Sequence, residues 1–260
     1  MKLNNILAQR ADKTVYREGN LVYKVFNENY STSDVLNEAL NQAVVFETGF
    51  AVPAFRDIER IDGKWAIVMD YVEGDTVLQQ MEQNPTQMTA LLTRMVDIQM
   101  DMHRHKASRL RHHTDKMHAK ISASGLEATA RYELHTRLDG LPRHSKLCHG
   151  DFTPNNVILQ PDGGYRVIDW SHATQGNASA DAARTYLRFK LAARDEQFTQ
   201  TLGNLDELAE QYLRLFCQKS DTARQYVERW MAIVAASQLG KGIETERELL
   251  TQWANVVEYY

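Results

Sequence analysis

Three side chains between positions 151 and 169 have types and spacing suited to phosphate chemistry. His149-Gly150-Asp151-Phe152-Thr153-Pro154-Asn155-Asn156 contains a carboxylate and a carboxamide five positions apart, and Asp169 adds a second carboxylate. Phosphoryl transfer requires one carboxylate to accept or orient the attacking hydroxyl, and oxygen ligands to hold magnesium on the phosphates. Because magnesium prefers hard oxygen donors and keeps waters, two protein ligands and a nucleotide suffice. The segment therefore predicts a phosphotransferase centre.

A β-hairpin is expected to hold these side chains. Strand-forming residues at 156–159 and 165–168 flank Pro161-Asp162-Gly163-Gly164, which is a strong turn sequence. The hairpin begins at Asn156, and Asp169 follows its end directly. The preceding loop carries Asp151.

The N-terminal part of the chain is predicted to be β structure. Short strands are expected at 6–8, 14–17 and 21–26, with a tight turn at Glu18-Gly19-Asn20. Lys24 shares a strand face with two apolar residues. Such a lysine is either a charge at the strand edge that reaches outward or a cation held inside a cleft.

A helix is predicted to begin at residues 31–33, where Ser31, Thr32 and Ser33 offer N-cap oxygens, and Gly49 is expected to end it. Asp34 suits the positive end of the helix dipole. Helical spacing predicts that Glu38 is off the centre of the buried face, which would consist of Leu36, Leu40, Ala43 and Val44.

A hairpin turn at 61–65 leads into Trp65-Ala66-Ile67-Val68-Met69, whose nearly continuous apolar character predicts a central strand. Asp70-Tyr71-Val72-Glu73-Gly74 ends that run and is the best candidate for a hinge. The mainly helical remainder includes a predicted buried face at Leu91, Leu92, Met95, Ile98 and Met102. The histidine-rich, basic stretch from 103 to 120 is interpreted as a solvated helical face or loop.

The His149-Gly150-Asp151 loop, Asn156 and Ile168-Asp169-Trp170 together resemble the signature of the aminoglycoside phosphotransferase and choline kinase family. This resemblance implies an α+β, two-lobed protein-kinase-like fold. The small β-rich N-terminal lobe would comprise residues 1–72, and the larger, mainly helical C-terminal lobe residues 73–260. The matching positions occur in the family's order from residue 24 to residue 181.

The family resemblance also implies a role for each matching residue. Asp151 would be the catalytic base, while Asn156 and Asp169 would bind Mg²⁺. His149 would brace the catalytic loop, and Asp181 is similar to a structural aspartate of the family.

The nucleotide, ATP or GTP, is assigned to the N-terminal lobe by the same resemblance. Lys24 would grip its phosphates and pair with Glu38, and main-chain groups around Asp70 and Val72 would bind the base. One departure concerns the loop over the phosphates, because Gln9-Arg10-Ala11-Asp12-Lys13-Thr14 contains no glycine, which close backbone approach requires. Side chains of Lys13 or Thr14 are the alternative contacts.

The expected reaction moves the γ-phosphoryl group of ATP or GTP onto a hydroxyl of a small molecule. An aminoglycoside antibiotic is the leading acceptor, which would make the protein a resistance enzyme. Choline, ethanolamine, homoserine and macrolides remain alternatives, because acidic and basic residues are interspersed in the helical part. A protein kinase is less favoured since no Ala-Pro-Glu segment ending is recognisable. A non-catalytic nucleotide-binding protein is less favoured since Asp151, Asn156 and Asp169 are all present.

Composition excludes other classes of partner. A net charge of −4 over 260 residues gives no general attraction to nucleic acid or to an anionic membrane. Cys148 and Cys217, without any paired CxxC motif, are typical of a reduced protein, so a cytoplasmic location is expected. The oligomeric state stays open.

Overall fold

The chain forms ten strands and ten α-helices within residues 3–254, which are the residues that the computed structural model describes. The strands are β1 Asn5–Gln9, β2 Lys13–Glu18, β3 Leu21–Phe26, β4 Phe55–Ile61, β5 Lys64–Asp70, β6 Asp75–Thr76, β7 Lys146–Cys148, β8 Val157–Leu159, β9 Tyr165–Val167 and β10 Thr174–Gly176. The helices are α1 Thr32–Glu47, α2 Val77–Gln83, α3 Met88–Met102, α4 His113–Ser122, α5 Ala128–Asp139, α6 Ala178–Ala192, α7 Glu196–Leu202, α8 Leu205–Ser220, α9 Arg224–Leu239 and α10 Glu244–Ala254.

The elements group into two compact units. The first comprises the residues up to 76 together with 155–172, and the second comprises 77–154 and the residues from 173 onward. The first unit is rich in β structure and the second is mainly helical, so the predicted α+β class is confirmed. A lobe boundary after residue 72 remains a prediction. Within the described residues, no helix combines the length and the apolar character needed to cross a membrane.

The first unit contains a five-stranded antiparallel sheet with the order β1-β2-β3-β5-β4. The apolar strand β5 pairs on both sides, which confirms its predicted central place. Because successive side chains of a strand point to opposite faces, β3 divides its residues between two clusters. Tyr23 and Val25 belong to one buried cluster, and Phe26 packs with residues of α1 in the other. Lys24 shares the parity of Phe26 and hence the α1 side of the sheet.

Helix α1 begins as predicted, but its buried face overlaps the predicted one only in part, at Val44. The Ser31 side chain accepts a hydrogen bond from the Asp34 backbone N–H, at 3.1 Å. Leu36 and Leu40, predicted to be buried, are 47% and 57% exposed. The buried face instead consists of Val35, Glu38, Ala39, Asn41, Gln42, Val44 and Val45.

Polar contacts explain this rotation of α1. Glu38 pairs with Lys24 of the sheet. The Gln42 side chain donates from Nε2 to the Pro53 carbonyl at 2.6 Å, and the Asn41 side chain donates from Nδ2 to the Trp170 carbonyl at 3.1 Å. Each of these side chains has a specific partner, so burying it does not carry the full cost of desolvation. Counting apolar positions alone therefore predicted burial wrongly at Leu36 and Leu40, although Val44 is buried as predicted.

The second unit buries the face of α3 that helical spacing predicted, since Leu91, Leu92, Met95, Ile98 and Met102 are all buried. The interpretation of 103–120 as a solvated stretch was wrong for His103 and His113, which are buried. His113 accepts a hydrogen bond from the Asn177 backbone N–H at 3.0 Å and packs edge-on against Trp230. Burial, followed by the neighbouring His112, lowers the pKa of His113 to about 3, so this ring is neutral and suited to a core.

Gly74 is expected to be important for stability, because its backbone passes close to strand β8. It has φ of 134°, and a Cβ at this position would lie 2.1 Å from the Leu159 carbonyl oxygen. Backbone strain and overpacking together predict that Gly74→Ala lowers the free energy of unfolding by about 3 kcal/mol, measured by urea denaturation. Gly163→Ala is the matched control, because φ is 84° there but no atom lies within 4 Å of the added carbon. Equal losses in both variants would contradict a role for the close approach.

Candidate active site

Lys24, Glu38 and Asp169 form a buried ion-pair network in the first unit. The Lys24 Nζ contacts Glu38 Oε1 and lies 2.8 Å from Asp169 Oδ1. Burial lowers the pKa of Lys24, but the charges of Asp169 and Glu38 outweigh burial and raise it above its ordinary value. The network therefore holds a fixed ammonium ion beside the Asp169 carboxylate. Glu38 Oε2 is buried without a hydrogen-bond partner among the described residues.

The backbone around Asp169 is arranged to present its carboxylate. Asp169 has φ of 64°, in the left-handed region that a non-glycine residue seldom adopts. The next residue, Trp170, is buried and donates from Nε1 to the Val167 carbonyl at 3.0 Å. Asn41 of α1 donates to the Trp170 carbonyl, so a helix and a hairpin both hold this turn. Strain of this kind is maintained only where the surroundings fix the backbone.

The hairpin also positions Asn156. This residue is buried, and its main-chain carbonyl oxygen accepts a hydrogen bond of 2.9 Å from the Ile168 N–H. The bond joins the start of β8 to the residue immediately before Asp169. It lies outside the regular strand ladder and ties both predicted metal ligands to one end of the hairpin.

The glycine-free loop between β1 and β2 reaches the same carboxylate through a side chain. Asn27 anchors the loop, because its backbone N–H donates to the Asp12 carbonyl at 2.9 Å and its Nδ2 donates to the Ala11 carbonyl at 2.6 Å. Lys13 then places its Nζ 3.6 Å from Asp169 Oδ2. Burial and the nearby charge of Lys24 lower the pKa of Lys13. The predicted alternative to a glycine-rich loop, a side-chain contact from Lys13, is therefore available next to Asp169.

The donor set of the hairpin fits magnesium. The Asn156 amide and the Asp169 carboxylate supply hard oxygen atoms, and they contain no thiolate or imidazole that would select a softer metal. The Asp169 carboxylate already has two lysine ammonium groups beside it, Lys24 and Lys13. The two ammonium groups suit phosphate oxygens and the carboxylate oxygen suits a metal ion, which is the combination that a metal–phosphate complex requires.

The proposed hinge residues lie at the end of β5. The Asp70 N–H donates to the Ala54 carbonyl at 3.0 Å, and its carboxylate accepts two hydrogen bonds from Arg56, at 2.6 and 2.8 Å. The side chain and the main-chain N–H of Asp70 are thus both occupied by contacts within the first unit. Val72 follows in a segment outside the strand. Nucleotide contacts at Asp70 and Val72 stay predictions.

In the second unit, Asp181 of α6 braces the loop that carries Asp151. The Asp181 carboxylate accepts hydrogen bonds from the Gly150 N–H at 2.7 Å and the His149 N–H at 3.4 Å, and His103 Nε2 lies 3.1 Å from it. Burial raises the pKa of Asp181, but His103 and the Gly150 N–H outweigh burial and lower it below its ordinary value. His149 is buried, and its Nδ1 accepts a hydrogen bond of 3.2 Å from the Asp151 N–H.

Two arginines of α6 face the Asp151 carboxylate. Asp151 Oδ1 lies 3.3 Å from Arg188 Nε and 3.8 Å from Arg184 Nη2. Sequence reasoning treated both arginines as part of a mixed-charge helical region and missed this contact. The spacing could have indicated this contact. Residues three and seven positions after Asp181 lie on the same face of a helix as Asp181, which binds the loop that carries Asp151.

A family model described as the phosphotransferase enzyme family matches residues 5–226. The chain belongs to this family. The predicted family resemblance and the prediction of a phosphotransferase enzyme are both confirmed. No curated protein sequence matches the chain.

Two solved structures of kinases that act on small molecules share the fold of this chain. A thermostable mutant of aminoglycoside phosphotransferase APH(4)-Ia in a ternary complex with ADP and hygromycin B is 17% identical, with a TM-score of 0.65 over 97% of this chain and 90% of that one. A choline/ethanolamine kinase family protein from Mesorhizobium loti is 14% identical, with a TM-score of 0.62 over 99% of this chain and 90% of that one. At these identities, the similarity shows the protein-kinase-like fold alone.

The bracing role of Asp181 predicts a large effect on stability. Asp181→Asn replaces a charged acceptor that serves two backbone N–H groups and His103. We expect the free energy of unfolding in urea to fall by on the order of 3 kcal/mol, since buried groups lose their charged partner. Asp206→Asn removes a largely exposed carboxylate that pairs with Lys190, so its expected cost is below about 1 kcal/mol. A small loss for Asp181→Asn would show that the loop is held by other contacts.

Proposed function

We propose that the chain transfers the γ-phosphoryl group of ATP or GTP to a hydroxyl of a small molecule. The Asp169 carboxylate, fixed by a strained turn and contacted by two lysines, is the observation that carries this proposal. Such a carboxylate among cations is suited to a nucleotide polyphosphate and its metal ion. The nucleotide complex of the APH(4)-Ia mutant supports the choice of donor.

Lys24 and Lys13 would contact the phosphate oxygens in this function. Glu38 holds Lys24 in place, and burial of the pair limits the directions that the ammonium group can take. Asn156 and Asp169 would hold Mg²⁺, which supplies positive charge to the phosphates when bound. The base would be bound by main-chain groups around Asp70 and Val72.

Asp151 would act on the acceptor. As the acceptor oxygen forms its bond to the γ-phosphorus, the bond between that phosphorus and the β,γ-bridging oxygen breaks. The proton of the acceptor hydroxyl passes to the Asp151 carboxylate, and the nucleoside diphosphate leaves with the bridging oxygen. The braced loop limits the movement of Asp151, because His149 and Asp181 bind its backbone and that of Gly150.

The similar structures suggest two candidate classes of acceptor. Hygromycin B is bound in the APH(4)-Ia complex, and the other protein belongs to the choline/ethanolamine kinase family. An aminoglycoside acceptor would make the chain an antibiotic-resistance enzyme. A cytoplasmic location is part of the same proposal and rests on the free cysteines Cys148 and Cys217.

An acceptor screen tests the proposed function directly. Purified chain would be incubated with magnesium and ATP or GTP, and with hydroxyl compounds that are cationic, neutral or anionic. Release of nucleoside diphosphate would be measured together with the mass of the phosphorylated product. We expect one class of compound to stimulate release and to gain the mass of one phosphoryl group. Release that no hydroxyl compound stimulates, although the nucleotide binds, would contradict the proposal and favour a non-catalytic nucleotide-binding protein.

A further inference from the structure

The surroundings of Asp151 are unusually cationic for a site that would receive an amino sugar or choline. Arg184 and Arg188 approach its carboxylate within 4 Å. Lys120 near the end of α4 and Lys241 just after α9 interact electrostatically with both Arg184 and Asp151. All of these residues belong to the helical unit, so the cluster is a property of that unit by itself.

Arg184 is a buried cation with unused hydrogen-bonding capacity. Its residue is only 6% exposed, and its Nε donates to the Gly150 carbonyl at 3.3 Å. Its Nη1 is buried without a hydrogen-bond partner among the described residues. Burial lowers the pKa of Arg184 to about 10 although Asp151 opposes this change. A buried guanidinium N–H without an acceptor is costly, and an anionic ligand would supply that acceptor.

Arg188 lies at the wall of a cavity of about 360 Å³, and the charged residues of its lining also include Arg194, Asp195 and Glu246. Its Nη1 is 3.4 Å from Glu246 Oε1, and its Nε is 3.3 Å from Asp151 Oδ1. The side chain is 35% exposed, so it remains accessible from the cavity. A cavity of this size accepts a small metabolite. Arg188 thus links the cavity to the proposed catalytic carboxylate.

Lys120 and Lys241 add two further cations to the surroundings of Asp151. Burial, followed by the charges of Arg184 and Lys241, lowers the pKa of the half-buried Lys120 to about 8. Lys116 adds to this repulsion, whereas Asp151 opposes it. The cations of the cluster outnumber its carboxylates, which are Asp151, Glu246 and the His103-bound Asp181. A bound anion would relieve the repulsion, and a polycation would increase it.

We infer that the acceptor carries an anionic group, a carboxylate or a phosphate, close to the hydroxyl that receives the phosphoryl group. Arg188 and Arg184 bind this group, while Asp151 contacts the hydroxyl. Guanidinium groups suit both kinds of anion, because their planar N–H forks match carboxylate and phosphate oxygens. This inference rests on the proposed function for the identity of Asp151 as the base. It replaces an amino sugar by a small hydroxy acid or phosphate ester as the expected class of acceptor.

Binding of four small probes to the full chain tests the anion site without requiring turnover. Glycerate, glycerol 3-phosphate, glycerol and the cationic 2-amino-1,3-propanediol all carry hydroxyl groups but differ in charge. Calorimetry would be performed with magnesium and the non-hydrolysable nucleotide AMP-PNP present at saturation, so that phosphate sites for the nucleotide are occupied. We expect at least one of the two anions to bind about tenfold or more tightly than glycerol and the amine. Tighter binding of glycerate than of glycerol 3-phosphate would identify a carboxylate site, and the reverse order would identify a phosphate site.

Substitutions in helix α6 test whether Arg188 is responsible for anion binding. Arg188→Gln is expected to weaken anion binding about tenfold, and Arg188→Lys to recover part of it because charge returns without the planar fork. Lys190→Gln is the matched control, since Lys190 lies on the same helix but pairs with Asp206. Equal binding of all four probes, no binding of either anion, or the same loss in both Gln variants would overturn the inference.

The two proposals fail in different ways. If a cationic hydroxyl compound stimulates nucleoside diphosphate release and anionic compounds do not, the phosphotransferase function stands and the anionic acceptor is wrong. If an anion binds through Arg188 but no hydroxyl compound is phosphorylated, the anion site stands and the proposed function is wrong.

Discussion

Asp151→Asn is expected to lower the turnover of phosphoryl transfer by about 10²- to 10⁴-fold, because the amide cannot accept the proton of the acceptor hydroxyl. The loop should keep its place, since His149, Asp181 and Thr185 hold it through backbone atoms of residues 149–152. The affinity for nucleotide should therefore change little. Turnover would be measured with an acceptor from the screen, and nucleotide affinity by calorimetry.

Two controls make this expected loss specific to the carboxylate. Asp162→Asn changes an exposed carboxylate in the β8–β9 turn and should leave turnover unaltered. Urea denaturation of Asp151→Asn shows whether Arg184 and Arg188 tolerate the loss of their charged neighbour. Wild-type turnover in a folded Asp151→Asn variant would exclude Asp151 as the catalytic base.

The second large effect is expected at Asp169. Asp169→Asn should weaken magnesium-dependent nucleotide binding on the order of 100-fold, because the substitution removes the charged group that we propose as a ligand of Mg²⁺. Binding of ATP would be titrated with magnesium and again with a chelator. The wild-type chain should bind more tightly with magnesium, whereas the variant should bind with the same low affinity in both conditions.

Glu38→Gln distinguishes loss of the metal ligand from disturbance of Lys24. Glu38 and Asp169 both contact Lys24, but only Asp169 is a metal ligand in the proposed function. This variant should lose affinity while keeping its response to magnesium. Nucleotide binding that is insensitive to magnesium in the wild-type chain would rule out the metal role of Asp169.

Short-range patterns predicted the local structure around these residues well. Alternating apolar residues and turn sequences marked β3, the β4–β5 hairpin and the β8–β9 hairpin, because strand pairing within a hairpin depends on neighbouring residues. The Ser31 cap of α1 is likewise a contact between residues three positions apart. Asp151, Asn156 and Asp169 could be selected for the same reason, since their spacing is contained in a single loop and hairpin.

The tertiary structure decided which faces were buried and which charges met. α1 exposes Leu36 and Leu40 and buries Glu38, because Lys24 of the sheet supplies a partner that helical periodicity cannot reveal. Arg184 and Arg188 were visible as helical cations, but only folding brings them to the Asp151 carboxylate.

The amino-acid sequence by itself indicated the type of chemistry, through the side-chain types of Asp151, Asn156 and Asp169 and their spacing along the chain. The charge around Asp151, and with it the class of acceptor that we infer, depended on residues from α4, α6 and the segments after α9. Such residues lie far apart in the chain, and electrostatic interaction depends on distances in space, which spacing along the chain does not specify.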